Sequence, residues 1–413
     1  MHEDELVQCP YYRRDGVQSI HCEGVEDGCG LRLGFAALQM LYWCTYGSST
    51  TYIVSYVTSV RNISASLAGS LMAVFMLGSC LGQLLINGIC DRKQNNRVVF
   101  MGGMALTLLL WYGVYLTPSV PVMFVLFFLQ GAIQSTCSSV MDTWLIRSFP
   151  TDPNAYSPIR SVGSITYSAL MLVMGFSIER IGHSVMLVLP TLFAAGAVIT
   201  AWFMPEIPPL AHPVKAKQKE KGASLMTLGM MVWMFIISLS IMGTARMPIL
   251  NMNVLIMENI GGTVEHSGIS ISFNTVGEFV MMCFLARLLV RFSARSRMLL
   301  SVFMYIFSTI IMAASRSIFP MYIAYLINGM AYGVFLPACR QYVNETSPKN
   351  LLNRLHGLSD VAFNNVGGLV GSQLSGMVID RWSTVVMLWG AVAFESVSFA
   401  IMAFLGRFKK KEA

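Results

Sequence analysis

The stretch MPEIPPLAHPVKAKQKEKG, residues 204–222, separates two long apolar regions of the chain. It contains four prolines, four lysines and few large apolar side chains, a composition typical of a linker. On each side of it the sequence predicts six apolar segments of the length that an α-helix needs to cross a bilayer. The sequence therefore predicts an all-α membrane protein with twelve transmembrane helices in two six-helix halves.

The predicted division of the chain has five parts. Residues 1–33 form a Cys-containing cytoplasmic tail, 34–204 the N-terminal half, 205–223 a cytoplasmic linker, 224–405 the C-terminal half, and 406–413 a basic cytoplasmic tail. The predicted spans are 34–59, 65–90, 98–117, 120–146, 158–178, 184–204, 225–250, 267–290, 298–315, 318–340, 357–379 and 384–405.

The composition excludes a water-soluble protein. Of the 413 residues, 55% are hydrophobic and only 12% are charged, whereas soluble domains carry about 25% charged residues. Residues 1–33 are polar and lack the apolar segment of a cleavable signal peptide. The sequence contains no P-loop and no clustered catalytic set, so we expect neither an ATP-driven pump nor an enzyme, and no cofactor.

Basic residues predict the orientation in the membrane. When each Lys and Arg is assigned to its nearest loop, about 23 of the 28 lie on the side that carries both termini. We therefore expect a multi-pass protein of the plasma membrane with both termini in the cytoplasm. The net charge of +7 reflects this asymmetry rather than nucleic-acid binding. The expected partners are a small-molecule substrate, the lipid bilayer and, as an open alternative, protons, and we expect a monomer.

Nine cysteines do not form a disulfide framework in this prediction, because most lie in or beside spans, where Cys behaves as a small hydrophobe. The N-terminal tail contains Cys9, His21, Cys22 and Cys29. Zinc sites usually bring their ligands in close pairs, but the gaps between these cysteines are twelve and six residues. The four residues are therefore weak metal candidates, and a reduced tail without metal is the alternative.

A short internal sequence repeat supports two related halves. The sequence GFSIERIG begins at Gly175, after predicted span five, and GMVIDRWS begins at Gly376, after predicted span eleven. Both read Gly-x-x-x-acid-Arg, and they stand 201 residues apart. Two repeated halves with a substrate site between them are typical of secondary transporters.

Two charged residues, Asp142 and Arg160, lie at the cytoplasmic ends of predicted spans four and five. Because these helices are antiparallel, the two side chains lie at similar depths, and pairing would reduce the cost of each charge in the membrane. Tyr167 follows Arg160 on the same helix face, about 10 Å deeper. A carboxylate, an arginine and an aromatic ring in this arrangement suit a sugar; a structural salt bridge beside a packed tyrosine is the alternative.

Glu278 lies near the middle of predicted span eight, beside Gly277, which permits close helix approach. A carboxylate at this depth is a functional candidate as ligand acceptor, proton carrier or both, with a structural role as the alternative. Glu395, in span twelve, we interpret as a structural partner or a protonated carboxyl group. Arg246 is a candidate for a gate at the outer mouth or for an interface residue.

Three asparagines add polar groups to spans that line the cavity in this interpretation. Asn328 lies in span ten, and Asn364 and Asn365 lie in span eleven. Each can form hydrogen bonds with a substrate or join two helices.

The loop GICDRKQNNR after span two resembles the cytoplasmic signature of the major facilitator superfamily, in which Asp91, Arg92 and Arg97 match the charged positions. The match is partial, since Asn87 and Gln94 stand where the pattern has glycines. The resemblance implies that the three charged residues form a conformational gate. A charged turn that obeys the positive-inside rule is the alternative.

Within that superfamily the chain resembles the lactose permease branch of oligosaccharide–proton symporters. The resemblance rests on a carboxylate, an arginine eighteen residues later and an aromatic residue seven further on, here Asp142, Arg160 and Tyr167, together with Gly277–Glu278 in span eight. It implies that Asp142 and Arg160 contact sugar hydroxyls, that Tyr167 stacks on the sugar and that Glu278 completes the site.

The sequence departs from that branch at the residues that couple transport to protons. Asn328 and Ala331 stand where the family has a His and a Glu, Ser308 where it has an Arg, and Asn364 where it has a Lys. If protons are coupled here, Glu278 or Asp142 would carry them, because an apolar environment favours the protonated carboxyl group.

The sequence thus predicts a secondary active transporter that moves a small hydroxyl-rich solute, a sugar, oligosaccharide or nucleoside, by alternating access, with proton symport left open. One alternative is an exporter of drugs or metabolites, since Met-rich spans suit an adaptable apolar pocket. Another is a non-transporting membrane sensor that uses the N-terminal tail.

Overall fold

The computed structural model describes residues 27–93, 95–149, 156–205, 230–282, 291–346 and 352–408. Nearly all of the predicted linker and most of both predicted tails lie outside these residues. In the described part of the chain the regular secondary structure is helical and includes no strand. This agrees with the all-α class that the apolar segments predict.

We label the helical runs α1 to α12. The uninterrupted ones are α2 (Ala65–Lys93), α3 (Asn96–Leu116), α4 (Val120–Ser148), α5 (Tyr156–Ile181), α6 (Val185–Phe203), α7 (Met230–Asn251), α8 (Val264–Val280), α9 (Ala294–Ala314), α10 (Ile318–Thr346) and α12 (Thr384–Phe408). A short helix, Asn253–Glu258, follows α7.

Two runs contain π-helical turns. α1 comprises Asp27–Tyr46, π-helical Gly47–Thr51, α-helical Ile53–Ser55 and π-helical Tyr56–Val60. α11 comprises Leu352–Asp360, π-helical Val361–Val366 and Gly367–Arg381. Turns of this kind often occur at functional sites. α1 begins within the stretch assigned from sequence to the tail, because backbone hydrogen bonds can continue a helix beyond its apolar part.

Several helix ends follow from local side chains. The Asn95 side chain accepts a hydrogen bond from the Val98 amide, 3.0 Å away, and starts α3. Ser293 accepts from the Ser296 amide at 3.2 Å and starts α9. Such caps satisfy amide groups that the first helical turn leaves without partners.

Nine helices in the described part of the chain are long and apolar enough to cross a membrane, which supports a multi-pass membrane protein. They are α2 to α7, α9, α10 and α12. Of the other three runs, α1 and α11 are interrupted by π-helical turns, and the α-helix of α8 covers 17 residues. The count of twelve spans therefore stays a prediction.

The buried apolar residues form separate clusters along the chain. One cluster takes its members only from residues 31–204 and includes the edge-to-face pair of Phe35 and Trp144. Another takes its members only from residues 231–405. α2 packs against α4 and α11, and α5 packs against α1 and α8, so two helix pairs join the regions before and after the linker.

These two pairs close one end of the molecule, the end at which α2 begins. At Gly69 in α2, an added Cβ would overlap the carbonyl oxygen of Ser372 in α11, so the absence of a side chain lets the helices touch. Asp380, at the end of α11, accepts hydrogen bonds from the amides of Ala65 and Ser66 at 2.9 and 2.6 Å. Backbone contact and a carboxylate at a helix N-terminus therefore hold this end together.

Candidate functional site

A cavity of about 350 Å³, which we call the central cavity, lies between α1, α2, α5, α7, α8 and α10. It is bordered by helices from both sides of the linker. Its polar and aromatic lining residues are Trp43, Tyr46, Thr50, Thr51, Arg160, Ser164, Tyr167, Arg246, Asn251, Asn274, Thr275, Glu278 and Tyr332. The π-helical turn after Tyr46 thus places two threonine hydroxyls in the wall.

A second cavity of about 880 Å³, the vestibule, lies beside the first and is lined where α4 ends and α5 begins. The two cavities share Arg160, Ser164, Thr275, Glu278 and Tyr332 as lining residues. The vestibule lies towards the end opposite to the α2–α11 contact. The larger space is therefore on the side where the predicted orientation puts the cytoplasm.

Asp142 and Arg160 form the ion pair that their predicted depths allow. Arg160 Nε lies 3.9 Å from Asp142 Oδ1, and each side chain is a little more than one quarter exposed. Asp142 lines the vestibule, whereas Arg160 lines both cavities. The pair therefore lines the cavities, which is how a membrane protein accommodates such charges.

Two residues of α1 hold this pair, and the sequence analysis missed both. Gln39 Nε2 donates to Asp142 Oδ1 at 3.1 Å, and Trp43 Nε1 donates to Gln39 Oε1 at 3.2 Å. The Arg160 guanidinium lies 4.4 Å from the centre of a Trp43 ring, a cation–π contact. The available signal was a glutamine in an apolar span with a tryptophan one turn later.

Tyr167 lines the central cavity and not the vestibule. Its hydroxyl lies 3.0 Å from Thr51 Oγ1, and its ring meets Trp43 edge-on at 6.3 Å between ring centres. Arg160 thus lies between Asp142 on the vestibule side and Tyr167 deeper in the molecule, as the helical spacing predicts.

Glu278 and Arg246 lie in the same wall. Glu278 lines both cavities and Arg246 lines the central cavity. Arg246 is only 4% exposed, and its guanidinium lies 4.1 Å from the centre of the Tyr332 ring. The structure thus places Arg246 in the wall of the central cavity, five residues before the end of α7.

Asn328 does not line either cavity and is fully buried. It accepts a hydrogen bond from Asn274 Nδ2 at 3.1 Å, and its own amide donates to Ser308 Oγ at 3.4 Å. Asn274 does line the central cavity. Asn328 therefore orients Asn274 from behind the wall instead of reaching the cavity itself.

The remaining span residues separate into two groups. Asn364 and Asn365 line the vestibule beside Arg340 and Asp360, which form an ion pair at 2.6 Å that the sequence analysis missed. Its signal was an arginine near the end of span ten and an aspartate at the start of span eleven. Glu395 is fully buried and accepts from Thr309 Oγ1 at 3.0 Å, away from both cavities, which agrees with a structural interpretation.

The signature loop is only partly described. Asp91 and Arg92 lie in the last turn of α2, where the structure describes the backbone alone. Arg97 Nη1 donates to the Met204 carbonyl oxygen at 3.3 Å and so joins the start of α3 to the chain after α6. The gate role of the three residues stays a prediction.

The weak metal candidates lie at or beyond the edge of the described chain. Cys9, His21 and Cys22 fall outside it, and Cys29 lies in the first turn of α1, where only the backbone is described. Elsewhere, the residues that the structure describes contain no group of three or more His, Cys, Asp or Glu side chains that could hold a metal ion.

The sequence model of the MFS_1-like family matches residues 34–391, which include every helix that lines the two cavities. The chain belongs to the MFS_1-like family. It is a major facilitator superfamily solute transporter with membrane-spanning helices, as the signature loop and the spacing of the site residues predict.

Two relatives of this facilitator are distant in sequence. The maltose permease of Geobacillus stearothermophilus is 21% identical over 351 residues, which cover 84% of this chain and 88% of the permease. The uncharacterized transporter YwbF of Bacillus subtilis (strain 168) is also 21% identical, over 328 residues that cover 78% of this chain and 80% of YwbF.

Solved structures share the fold. A point mutant of the nucleoside transporter NupG superposes with a TM-score of 0.81 at 17% identity and covers 90% of this chain and 99% of its own. A bacterial homologue of the human lysosomal transporter Spinster, in an inward-facing and unoccupied conformation, reaches 0.70 at 11% identity, with 93% and 98% coverage. At these identities the likeness establishes the fold alone.

Proposed function

We propose that this facilitator moves a small hydroxyl-rich solute, a sugar, oligosaccharide or nucleoside, across the plasma membrane by alternating access. The observation that carries the proposal is the Asp142–Arg160 ion pair at 3.9 Å, set beside the rings of Trp43 and Tyr167 and sharing its cavities with Glu278. The names of two relatives, a maltose permease and a nucleoside transporter, support the same class of solute.

The chemistry of the cavity suits hydroxyl groups on a ring. Asp142 and Glu278 accept hydrogen bonds, Arg160 donates them, and hydrogen bonds to charged groups are stronger than neutral ones. The Trp43 and Tyr167 rings offer apolar faces to the C–H groups of a sugar or to a base. The central volume of about 350 Å³ falls at the lower end of the range for small-molecule sites, roughly 300–1,000 Å³.

The arrangement of open and closed ends supports alternating access. The α2–α11 and α5–α8 contacts close one end, whereas the vestibule occupies the other. With both termini in the cytoplasm, this is the inward-facing state, from which solute exchanges with the cytoplasm. Rotation of the two halves would separate α2 from α11 and bring the vestibule walls together.

Proton coupling, if present, falls to Glu278 rather than Asp142. Asp142 is held by both Arg160 and Gln39. Among the described ion pairs Glu278 has none within 4.0 Å, so it is better placed than Asp142 to change protonation.

The test is uptake of labelled glucose, maltose, uridine and adenosine into proteoliposomes, with and without an imposed pH gradient. We expect Asp142→Asn to reduce uptake at least tenfold, because the charged acceptor and the partner of Arg160 are lost together. Glu278→Gln should reduce uptake and abolish its dependence on the gradient. Glu258→Gln, at an exposed carboxylate outside both cavities, serves as the matched control.

The outcomes separate the parts of the proposal. Unchanged uptake in both site variants would show that the site is wrong. Uptake that ignores the pH gradient in the unmodified protein would remove proton coupling and leave solute transport in place.

An exporter of amphipathic compounds is the second candidate. Met72, Met76 and Met247 line the central cavity, and flexible thioether side chains adapt to varied apolar ligands. Efflux of ethidium from loaded vesicles, together with no uptake of any sugar or nucleoside, would favour this candidate.

A further inference from the structure

We propose that Arg246 and Glu278 together bind two neighbouring hydroxyl groups of a neutral solute, so that Arg246 sets a preference for a vicinal diol. The inference rests on the proposed function and names the chemical group that this side of the site recognises. Arg246 lies in α7. It belongs neither to the Asp142–Arg160 ion pair between α4 and α5 nor to the spacing of Arg160 and Tyr167 in α5.

Aromatic rings from three helices fix the position of the Arg246 guanidinium. Its central carbon lies 4.1 Å from the ring centre of Tyr332 in α10, 5.7 Å from Tyr305 in α9 and 5.9 Å from Phe363 in α11. Such cation–π contacts orient the planar guanidinium group. The guanidinium is therefore held in place before any ligand arrives.

The Nε donor of Arg246 has no acceptor among the described residues. The Arg246 side chain is only 4% exposed, and its Nε is buried without a hydrogen-bond partner. A guanidinium carries five N–H donors and no acceptor, so its demand for acceptors is large. Because Nε is buried, a ligand in the central cavity, which Arg246 lines, would bond the other guanidinium N–H groups.

The charges around the two cavities indicate a neutral ligand. The lining includes three arginines, Arg160, Arg246 and Arg340, and three carboxylates, Asp142, Glu278 and Asp360. Two ion pairs already account for four of these charges, Arg160–Asp142 at 3.9 Å and Arg340–Asp360 at 2.6 Å. Arg246 and Glu278 remain, equal and opposite, so an anionic or cationic solute would leave an unbalanced charge in the cavity.

The remaining two side chains are separated by more than ion-pair distance. No ion pair within 4.0 Å joins Arg246 to Glu278 among the described contacts, although both line the central cavity. A hydroxyl group can donate to the carboxylate and accept from the guanidinium at the same time. Two hydroxyls on adjacent carbons would occupy both carboxylate oxygens and two guanidinium N–H groups, and so bridge the pair.

The test compares deoxy analogues as inhibitors of uptake in the unmodified protein and in Arg246→Gln and Arg246→Lys. The probes are labelled glucose and uridine, each with its set of monodeoxy analogues, and glucuronate as the anionic analogue. Arg381→Gln, at an exposed arginine outside both cavities, is the matched control. Arg246→Lys keeps the charge but loses the planar fork, so it also serves if Arg246→Gln fails to fold.

We expect loss of either of two adjacent hydroxyls to weaken inhibition roughly tenfold in the unmodified protein, since each bonds a charged group. In Arg246→Gln and Arg246→Lys, loss of these same hydroxyls should have little further effect on inhibition. Loss of a hydroxyl at any other position should affect inhibition as it does in the unmodified protein. An unchanged analogue profile in both Arg246 variants overturns the proposal, and so does tighter inhibition by glucuronate than by glucose.

Failure of this proposal can be distinguished from failure of the proposed function. If Asp142→Asn abolishes uptake but the Arg246 variants keep the analogue profile unchanged, the vicinal-diol proposal is wrong and the proposed transport function stands. If the unmodified protein takes up neither probe, the proposed transport of this solute class is wrong. The melting temperature of the purified protein with the same compounds then tests the vicinal-diol proposal. A stabilisation by glucose or uridine that the Arg246 variants lose supports it; no stabilisation overturns it.

Discussion

Asp142 is a charged residue in a span that acquires its role through side chains of two other helices. Arg160 supplies the counter-charge, and Gln39 supplies a hydrogen bond at 3.1 Å from α1. Gln39 in turn accepts from Trp43, on whose ring the Arg160 guanidinium rests. The four side chains form a closed set of contacts, so a change in any one of them is expected to move the others.

At this scale we predict the effect of Gln39→Leu. The substitution removes the amide that donates to Asp142 and leaves the Trp43 indole without its acceptor, and such losses cost about 1–3 kcal/mol. The KM for the transported solute is expected to rise roughly fivefold to tenfold, measured in proteoliposomes.

The matched control for Gln39→Leu is Gln130→Leu. Both side-chain polar atoms of Gln130 are buried without a hydrogen-bond partner in the described structure, so its replacement by leucine removes no bond. The control should keep the unmodified KM and should not lower the melting temperature. Equal KM values for the two variants would contradict a role of Gln39 in positioning Asp142.

Among the helices, the contact between α2 and α11 closes the end away from the vestibule. It depends on residues without side chains, since a Cβ on Gly69 would overlap the Ser372 carbonyl oxygen and a Cβ on Gly376 would overlap that of Ala65. Close packed contacts of this kind tolerate little added volume. The helix pair is therefore in contact or apart, with few arrangements between.

We predict that Gly69→Leu separates α2 from α11 and shifts the population away from the vestibule-open state. The measurement is the rate at which a maleimide labels a cysteine at Ser161, which is partly exposed and lines the vestibule. The rate is expected to fall severalfold, because this cysteine is covered when the vestibule closes. Gly102→Leu is the control, since a Cβ there meets no atom within 4 Å. A labelling rate equal in both variants would contradict the two-position helix pair.

For the whole molecule, the balance between the vestibule-open state and the state with a closed vestibule depends on contacts that join the regions before and after the linker. One of these is the Asp380 carboxylate, which accepts the Ala65 and Ser66 amides at the start of α2. At the opposite end, the two described ion pairs, Arg160–Asp142 and Arg340–Asp360, each lie on one side of the linker and do not join the two regions. Among the described residues, the Asp380 contact therefore favours the vestibule-open state.

We predict that Asp380→Ala destabilises the vestibule-open state. Two hydrogen bonds to a charged acceptor at a helix N-terminus are lost, which is expected to shift the equilibrium between the states roughly tenfold. Labelling of a cysteine at Ser161 should slow, as in Gly69→Leu. Glu258 is another exposed carboxylate outside both cavities, so Glu258→Ala should leave the labelling rate of this cysteine unchanged. Faster labelling in Asp380→Ala would show that the contact opposes this state.

A prediction about the N-terminal segment separates transport from a sensor role. The first residue along the chain that lines either cavity is Trp43, so deletion of residues 1–26 should leave the uptake rate and KM unchanged. Loss of uptake in correctly inserted protein would contradict this. Loss of a cellular response with intact uptake would favour the sensor.

Much of this protein could be predicted from the sequence by itself, because the relevant patterns are local. Apolar segments of spanning length determine the all-α membrane class, and helical rise places Asp142 and Arg160 at one depth and Tyr167 deeper. What only the tertiary structure decided is which helix faces meet. Gln39 and Trp43 reach the ion pair from α1, Arg246 lies in the cavity wall, and Asn328 lies behind it. Periodicity along one helix assigns residues to a face of that helix, but contacts between distant helices depend on how the whole bundle packs, which no single segment encodes.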